Sequence, residues 1–268
     1  MLEAFSQGKR SVISSTDLGM TSAEIWLLEQ GVEFIDKTTL SWDVIRLINE
    51  NETACFTIEN NVTRPVKGYS EESGRSFSLL PTASAPAMIV AGFPMHRVKN
   101  TTPLDAAGLM IETIAPLRGQ VLDTATGLGY TAIMAARTAN KVMTVEIDRV
   151  AQEIAGQNPW SRELFTNLKI DQIIGNCADV IVEFDANAFS CIMHDPPAVS
   201  LAGDLYSQEF YNQLFRVLRT GGKLFHYIGD PETRSGNKIT TGVMRRLHDA
   251  GFRKVTRKPL AFGVVGLK

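Results

Sequence analysis

The sequence predicts an α/β protein: a doubly wound sheet that ends in a reversed strand, preceded by a small, β-rich α+β domain. From Gln120 onward, short apolar runs typical of buried strands alternate with segments whose apolar residues recur at helical spacing. This alternation indicates a parallel sheet covered by helices on both faces. The last two strand-like runs are separated by only a few residues, which predicts an antiparallel hairpin.

The elements of this second part follow one another in a regular order. Predicted strands lie at 120–123, 141–147, 168–175, 189–194 and 223–229, and the terminal pair lies at 253–256 and 261–266. Predicted helices lie between the strands at 129–140, 150–156, 178–184, 207–218 and 240–250. Because open α/β sheets bind ligands at the carboxyl ends of their strands, the motifs at those ends indicate the function.

The first hundred residues have a mixed pattern. Apolar residues recur at helical spacing at 22–30 and 41–49, and short strand-like runs follow at 54–58, 76–80 and 88–90. Pro94 and Pro103 bracket a connector. We therefore expect two domains, an accessory or substrate domain at 1–100 and a cofactor-binding domain at 101–268.

Composition and charge narrow the class of protein. The 268 residues carry a net charge of −2, unlike a dedicated nucleic-acid binder with a basic face. Three widely spaced cysteines, Cys55, Cys177 and Cys191, form neither a disulfide framework nor a zinc pattern, which favours a reducing cytoplasm. No apolar run is long enough to cross a bilayer, and no metal-ligand spacing occurs, so we expect neither a membrane nor a metal partner.

The chain after Arg234 is unevenly basic. This segment contains one acidic residue, Asp249. Its basic residues are Lys238, Arg245, Arg246, Arg253, Lys254, Arg257, Lys258 and Lys268. Such an end suits an anionic partner, and it also fits a solvated helix face beside a charged strand edge.

The strongest motif lies where the first strand of the predicted sheet turns into the first helix. It begins with Asp123 and continues through a turn that contains Gly127 and Gly129. Glycines allow a tight turn and let the backbone approach a ligand closely. Glu146 ends the next strand, where an acid accepts both ribose hydroxyls of an adenosine ligand. Together these residues predict a nucleoside cofactor site.

This pattern resembles the first signature of class I S-adenosylmethionine (SAM) dependent methyltransferases, whose Rossmann-like sheet ends in a reversed strand. Ala125 stands where that signature usually has its first glycine, and Asn176 stands where an Asp commonly binds the adenine amino group. The resemblance implies that SAM is the cofactor and that its ligands are Asp123, Ala125, Gly127, Gly129, Glu146, Ile147, Asn176 and Cys177. The same glycine turn also fits a nicotinamide dinucleotide fingerprint, but the motifs downstream favour SAM.

A second motif, His194-Asp195-Pro196-Pro197, ends the fourth predicted strand. Two prolines stiffen the turn and remove backbone donors, which leaves acceptors facing a pocket. A carboxylate and a carbonyl there can grip both protons of an amine and aim its lone pair at a methyl group. The motif resembles the Asp/Asn-Pro-Pro-aromatic tetrapeptide of amino-methyltransferases, but Ala198 replaces the aromatic residue, which weakens a nucleobase as the acceptor.

The same strand ends hold two histidines. We predict Asp195 and Pro196 as catalytic residues and His194 or His226 as the general base, with a hydrogen-bonded lining of the cleft as the other interpretation of each histidine. The aromatic ring that Ala198 lacks could come from elsewhere, the choices being Tyr130, Tyr206, Tyr211 and Tyr227.

The segment after the two prolines is also similar to polyamine aminopropyltransferases such as spermidine synthase, which use decarboxylated SAM. Those enzymes have an acid where this chain has Ile192 and another in the glycine turn, which Leu128 occupies here. As a whole, the motifs after residue 90 resemble a family of predicted archaeal methyltransferases. We therefore expect methyl transfer to a nitrogen of an RNA, a protein or a small molecule, with aminopropyl transfer to a polyamine as the alternative and a purely binding protein as a third. The pattern is compatible with a homo-oligomer.

Overall fold

The computed structural model describes the backbone of residues 1–268 and every side chain except that of Ser235. The chain forms two compact units. Met1–Pro103 and Glu153–Trp160 make up the first unit, and Leu104–Gln152 and Ser161–Lys268 make up the second.

The first unit is rich in short antiparallel strands. Its helices are α1 (Leu2–Ser6) and α2 (Trp42–Glu50), and its strands are β1 (Ser11–Ser14), β2 (Ala23–Leu28), β3 (Gly31–Glu33), β4 (Thr39–Ser41), β5 (Phe56–Glu59), β6 (Val62–Pro65), β7 (Lys67–Ser70), β8 (Arg75–Leu80), β9 (Ala87–Val90) and β10 (Phe93–Pro94). Strands β1 to β4 form one sheet in chain order, β7 to β10 form a second, and β5 pairs with β6. Helix α2 begins at the Ser41 cap, whose hydroxyl accepts the N–H of Val44.

The helix predicted at 22–30 is wrong, because this segment is strand β2. Ile25 and Leu27 lie two residues apart and both are buried, at 1% and 7% exposure, while the intervening Trp26 is only half-buried. Spacing of two places both side chains on one face of a strand. The run of apolar residues from Ile25 to Leu28 satisfies both periods, and the antiparallel pairing of β2 with β1 and β3 decides between them.

The second unit contains the helices α3 (Pro103–Ile114), α4 (Tyr130–Ala136), α5 (Arg149–Gly156), α6 (Arg162–Thr166), α7 (Cys177–Val180), α8 (Gln208–Val217) and α9 (Arg234–Asp249), of which α3 begins and α5 ends in the first unit. Its strands are β11 (Gln120–Asp123), β12 (Lys141–Glu146), β13 (Ile170–Ile174), β14 (Phe189–His194), β15 (Leu218–Tyr227), β16 (Arg253–Lys258) and β17 (Gly263–Leu267). Short 3₁₀ turns lie at Pro159–Ser161, Ile181–Glu183, Gly203–Tyr206 and Pro259–Ala261.

All seven strands of this unit belong to one sheet in the order β13-β12-β11-β14-β15-β17-β16. Strands β11 to β15 are parallel to one another, whereas β17 is antiparallel to both β15 and β16. The doubly wound sheet with a reversed terminal strand is therefore confirmed. The strand order reverses beside β11 and β14, which makes the carboxyl ends of these two strands the expected ligand crevice.

Several predicted boundaries differ from the structure, and the starts of α9 and β15 differ most. Helix α9 begins at Arg234 rather than at residue 240, because the hydroxyl of Thr233 caps it by accepting the N–H of Gly236. Strand β15 begins at Leu218 rather than at residue 223, and the residues with the Gly-Gly pair are part of the strand. The core between the sheet and helices α8 and α9 includes Tyr211, Leu214, Leu224, Val243 and Leu247. None of the helices, as far as the chain is described, is both long and apolar enough to span a membrane.

Candidate active site at the carboxyl ends of β11, β12, β14 and β15

The turn from β11 into α4, here called the glycine turn (residues 124–129), uses its two glycines differently. Gly127 and Gly129 both have positive φ angles, 51° and 76°, which glycine adopts without steric penalty. A Cβ on Gly129 would lie 2.8 Å from Leu164, so close packing requires glycine there. A Cβ on Gly127 would meet no atom within 4 Å. The Cβ position of Gly127 therefore borders open space, as a ligand cradle requires.

Asp123 lies at the end of β11 and is fully buried. Its Oδ2 accepts hydrogen bonds from the hydroxyls of Thr131 and Thr144, each at 3.1 Å, while its Oδ1 has no hydrogen-bond partner among the described residues. Burial, together with the negative charge of Asp195, raises the pKa of Asp123 to about 8. An orphaned buried oxygen is costly unless a donor reaches it, so this carboxyl group is suited to a cationic ligand group.

Glu146 lies at the end of β12 and is held by two backbone N–H groups. Its Oε2 accepts from Gly127 at 2.9 Å, and its Oε1 accepts from Asp148 at 3.1 Å. Burial raises the pKa of Glu146, and these two N–H groups oppose the shift. A carboxylate has about four acceptor positions, so about two remain for a ligand. The side chain is fixed against the glycine turn and still able to accept hydrogen bonds.

The remaining predicted cofactor residues lie on the glycine turn and just after β12 and β13. Ile147 is 59% exposed although it is apolar. Asn176 caps α7, because its side-chain oxygen accepts the N–H of Ala178 at 3.0 Å, and Cys177 is buried as the first residue of that helix. Ala125 is half-buried within the glycine turn. The capping bond uses one lone pair of the Asn176 oxygen and leaves the second.

Asp195 follows β14 directly and begins the segment here called the proline segment (residues 195–206). Its carboxyl group is half-buried, and no described residue donates a hydrogen bond to it or forms a salt bridge with it. Burial raises the pKa of Asp195 to about 7. Pro196 is buried, and the carbonyl of Pro197 accepts the hydroxyl proton of Tyr206 at 3.0 Å. The turn thus presents a free carboxyl group at the carboxyl end of the central strand β14.

His194 and His226 lie side by side at the ends of β14 and β15, with ring centroids 4.3 Å apart. Both are fully buried, and burial lowers the pKa of His194 to about 3 and that of His226 well below its ordinary value. Nδ1 of His194 lies 2.6 Å from the Thr124 hydroxyl, and its Nε2 lies 3.0 Å from the carbonyl oxygen of Leu205. Nε2 of His226 lies 2.9 Å from the hydroxyl of Tyr211. Hydrogen bonds to the protein occupy three of the four ring nitrogens.

The comparisons with known proteins agree with this geometry. The model of the methyltransferase small domain family matches residues 100–232. An uncharacterized protein of Methanocaldococcus jannaschii is 36% identical over 272 residues, a match that covers 99% of this chain and 92% of that protein. The chain belongs to the same family as this archaeal protein, and its residues 100–232 match the methyltransferase small domain. It is therefore a SAM-dependent methyltransferase.

Solved structures that resemble the methyltransferase show its fold. A spermidine synthase in complex with the transition-state analogue AdoDATO is 19% identical, with a TM-score of 0.60 over 79% of this chain and 78% of that one. The spermidine synthase of Thermotoga maritima is 18% identical, with a TM-score of 0.59 over 79% and 77% of the two chains. At such identities the likeness concerns the fold.

Two buried cysteines lie on elements of this part of the methyltransferase. Burial raises the pKa of the Cys177 thiol to about 12 and raises that of Cys191 as well, so both remain protonated at neutral pH. Within the described residues, no group of three or more His, Cys, Asp or Glu side chains could hold a metal ion.

Several polar residues of the site were not predicted from the sequence. Thr144 donates to Asp123, so its oxygen accepts the proton of Thr126 over 2.6 Å. The hydroxyl of Thr124, just after β11, is hydrogen-bonded to His194 at the end of the neighbouring strand β14. The hydroxyl of Tyr206 donates to the carbonyl of Pro197. The three threonines lie on or just after strands that end at the site, and hydroxyls there are a signal that could have been followed. Tyr206 was considered only as an aromatic ring.

Proposed function

We propose that this methyltransferase transfers the methyl group of SAM to a nitrogen atom of an amine that Asp195 and the carbonyl of Pro196 hold. The observation that supports this most directly is the Asp195 carboxyl group, which is half-buried at the sheet edge and has no hydrogen-bond partner among the described residues. A desolvated acceptor of this kind stabilises a ligand that brings N–H donors.

The residues at the ends of β11 and β12 fit SAM as the methyl donor. We assign the ribose hydroxyls to the free acceptor positions of Glu146 and the amino-acid end of SAM to Asp123, whose Oδ1 lacks a partner. The open space at Gly127 accommodates close backbone contact. The exposed side chain of Ile147 suits the face of the adenine ring. Asn176 and Cys177 flank the adenine position in this assignment, and Ala125 and Gly129 shape the turn.

The chemistry divides between cofactor and protein. Bound SAM supplies an electrophilic methyl group, whose carbon–sulfur bond breaks as the bond to nitrogen forms. The chain's own residues position the amine and manage its proton. The pKa of Asp195, which burial raises to about 7, suits a carboxyl group that accepts a proton from the amine near neutral pH. We assign this role to Asp195 rather than to His194 or His226, because both imidazoles are fully buried and already hydrogen-bonded.

Aminopropyl transfer from decarboxylated SAM is the second candidate function. The fold likeness to spermidine synthases, which extends over 79% of the chain, favours it. Ile192, three residues before Asp195, argues against aminopropyl transfer. Spermidine synthases carry an acid at this position, whereas Ile192 is an apolar residue fully buried in the core. Leu128 in the glycine turn is likewise buried and apolar.

We further propose residues 1–100 as the acceptor domain and the cytoplasm as the location. An RNA, a protein or a small amine are the acceptor classes that agree with a free carboxyl group. A homo-oligomer is compatible with this function.

Calorimetric titration with SAM and with decarboxylated SAM tests the cofactor assignment. We expect SAM to bind the more tightly and Glu146→Ala to weaken binding by about tenfold or more, since charge-assisted hydrogen bonds to two hydroxyls are lost. Glu153→Ala removes an exposed acid from α5 and serves as the matched control, with affinity unchanged. Tighter binding of decarboxylated SAM would move the function to aminopropyl transfer, and no binding of either would refute both.

Methyl transfer itself is tested with radiolabelled SAM against transfer RNA, a lysine-rich protein and a panel of small amines. We expect label to enter one class, and Asp195→Asn to reduce that incorporation by about a hundredfold or more while SAM affinity changes little. Full activity of Asp195→Asn on that acceptor would exclude the role given to this residue.

A further inference from the structure

The Thr124–His194–Leu205 contacts form a continuous hydrogen-bonded connection between the glycine turn and the proline segment. Thr124 is the first residue after β11, and His194 is the last residue of β14. Leu205 lies near the end of the proline segment, within the 3₁₀ turn Gly203–Tyr206. All three side chains are buried.

The tautomer of His194 follows from these partners. Burial lowers the pKa of His194 to about 3, so the imidazole is neutral near pH 7 and carries one donor and one acceptor nitrogen. The carbonyl of Leu205 can only accept, so Nε2 donates to it over 3.0 Å. Nδ1 must then accept the hydroxyl proton of Thr124 over 2.6 Å. Each nitrogen therefore holds a different segment.

Both segments lead directly into residues of the site. Thr124 adjoins Asp123, and His194 adjoins Asp195. The backbone N–H of Thr124 also donates to the carbonyl of Met193 at 3.0 Å, so the two strand ends are joined beside the imidazole as well. A shift of His194 would move the glycine turn and the proline segment relative to each other, and misplacement of reacting groups by an ångström slows a reaction strongly.

We propose that His194 is a positioning residue whose two ring nitrogens hold the glycine turn and the proline segment in fixed relation. Its ring is fully buried, and both of its nitrogens are hydrogen-bonded to the protein. His194 has this role in catalysis only if the two segments bind SAM and the acceptor, as proposed above. The connection within the protein can be measured without either ligand.

Two substitutions separate the two arms of the connection. The amide nitrogen of a glutamine lies at the same distance from the backbone as Nε2, so His194→Gln keeps the donor to Leu205 and loses the acceptor for Thr124. The amide oxygen of an asparagine matches Nδ1, so His194→Asn keeps the acceptor and loses the donor. Thr124→Val removes the same arm as His194→Gln without changing the imidazole. Thr240→Val is the matched control, because Thr240 is another buried threonine, and among the described residues its hydroxyl donates to the carbonyl of Gly236 within α9.

Calorimetric titration with SAM and amide hydrogen exchange of the ligand-free protein provide the two measurements. We expect His194→Gln and Thr124→Val to weaken SAM binding by about three- to tenfold and to speed exchange in the glycine turn, and the double variant to be no worse than either one. We expect His194→Asn to leave SAM affinity within about twofold and to speed exchange at 201–206 instead. Thr240→Val should change neither quantity.

The outcomes are distinguishable from a failure of the proposed function. If the unmodified protein does not bind SAM, the proposed function fails, and the exchange patterns still decide whether His194 connects the two segments. If His194→Gln and His194→Asn give the same exchange pattern, or effects that merely follow their loss of thermal stability, His194 is an ordinary core residue and the proposal is overturned. If both histidine variants fail to fold, Thr124→Val still decides the test. The proposal then requires faster amide hydrogen exchange in the glycine turn of Thr124→Val, and unchanged exchange there overturns it.

Discussion

Asp123 and Asp195 extend from the carboxyl ends of the neighbouring strands β11 and β14, and the charge of Asp195 raises the pKa of Asp123. Strand pairing aligns Asp123 with Met193, which places Asp195 two residues further along the adjacent strand. Burial is the larger cause of the raised pKa at Asp123 and the principal one at Asp195, which reach about 8 and about 7. Two carboxyl groups that resist ionisation at one sheet edge are typical of a site that receives cationic or N–H donor groups.

The buried carboxyl group of Asp123 makes the stability of the protein depend on pH. The pKa of Asp123 rises from 3.8 to about 8 on folding, so the folded state holds its proton more tightly. The free energy of unfolding therefore falls as the pH rises from about 4 to about 8. We expect Asp123→Asn to raise it by on the order of 1–2 kcal/mol at pH 8, because the amide avoids a buried charge and still accepts from the two threonines.

Thermal unfolding of both proteins between pH 5 and pH 9 provides the measurement. Asp185→Asn is the control, since Asp185 is exposed and its substitution should leave the pH profile unchanged. Parallel profiles for the unmodified protein and Asp123→Asn would contradict the assigned burial cost.

SAM binding should release a proton below pH 8. Asp123, with a pKa of about 8, is mostly protonated at pH 7, and it must ionise to bind the ammonium group of SAM. Affinity should therefore rise from pH 6 to pH 8. Calorimetry in buffers with different ionisation enthalpies measures the released proton, and Asp123→Asn should both weaken binding and abolish the release. Proton uptake on binding would show that a different group responds to SAM.

Substitution of the two glycines by alanine should separate folding from binding. Gly129→Ala forces a Cβ to within 2.8 Å of Leu164 at a φ of 76°, so we expect a loss of about 2–4 kcal/mol in stability. Gly127→Ala meets no protein atom within 4 Å, so only the strain of its positive φ remains, at about 1 kcal/mol.

The expected split is a large fall in melting temperature for Gly129→Ala and a large loss of SAM affinity at nearly normal stability for Gly127→Ala. Measurement of both quantities for both variants tests the split. Normal SAM binding by Gly127→Ala would show that the open space at Gly127 does not face the cofactor.

The sequence predicted the sheet well where the strands are mostly buried. Strands β11 and β14 have the predicted bounds, because their apolar runs are bordered by polar residues and turns. Where an apolar run satisfied two periods, as at Ile25 and Leu27, pairing with other strands decided the structure. Glu146 and Asp195 could be located at strand ends because a parallel sheet brings such ends together. The contact of Thr124 with His194 joins residues 70 positions apart, and no local pattern encodes its 2.6 Å geometry.

The hydroxyl of Tyr206 should matter for methyl transfer and not for SAM binding. It donates to the carbonyl of Pro197 at 3.0 Å and so holds the turn that follows Asp195. Tyr206→Phe removes this bond and keeps the ring contacts with His194 and His226, which lie 6.3 Å and 5.2 Å from it between centroids. We expect kcat to fall by about tenfold, since a looser turn aims the amine less well.

The SAM dissociation constant of Tyr206→Phe should stay within about twofold, because no bond to the glycine turn is lost. Tyr69→Phe, at an exposed tyrosine of the first unit, is the control and should leave kcat and SAM affinity unchanged. The rate is measured with the acceptor that the radiolabel assay identifies. Equal losses of SAM affinity and rate in Tyr206→Phe would mean that Tyr206 supports the whole crevice rather than the proline turn, because only a general loosening of the sheet edge affects both sides together.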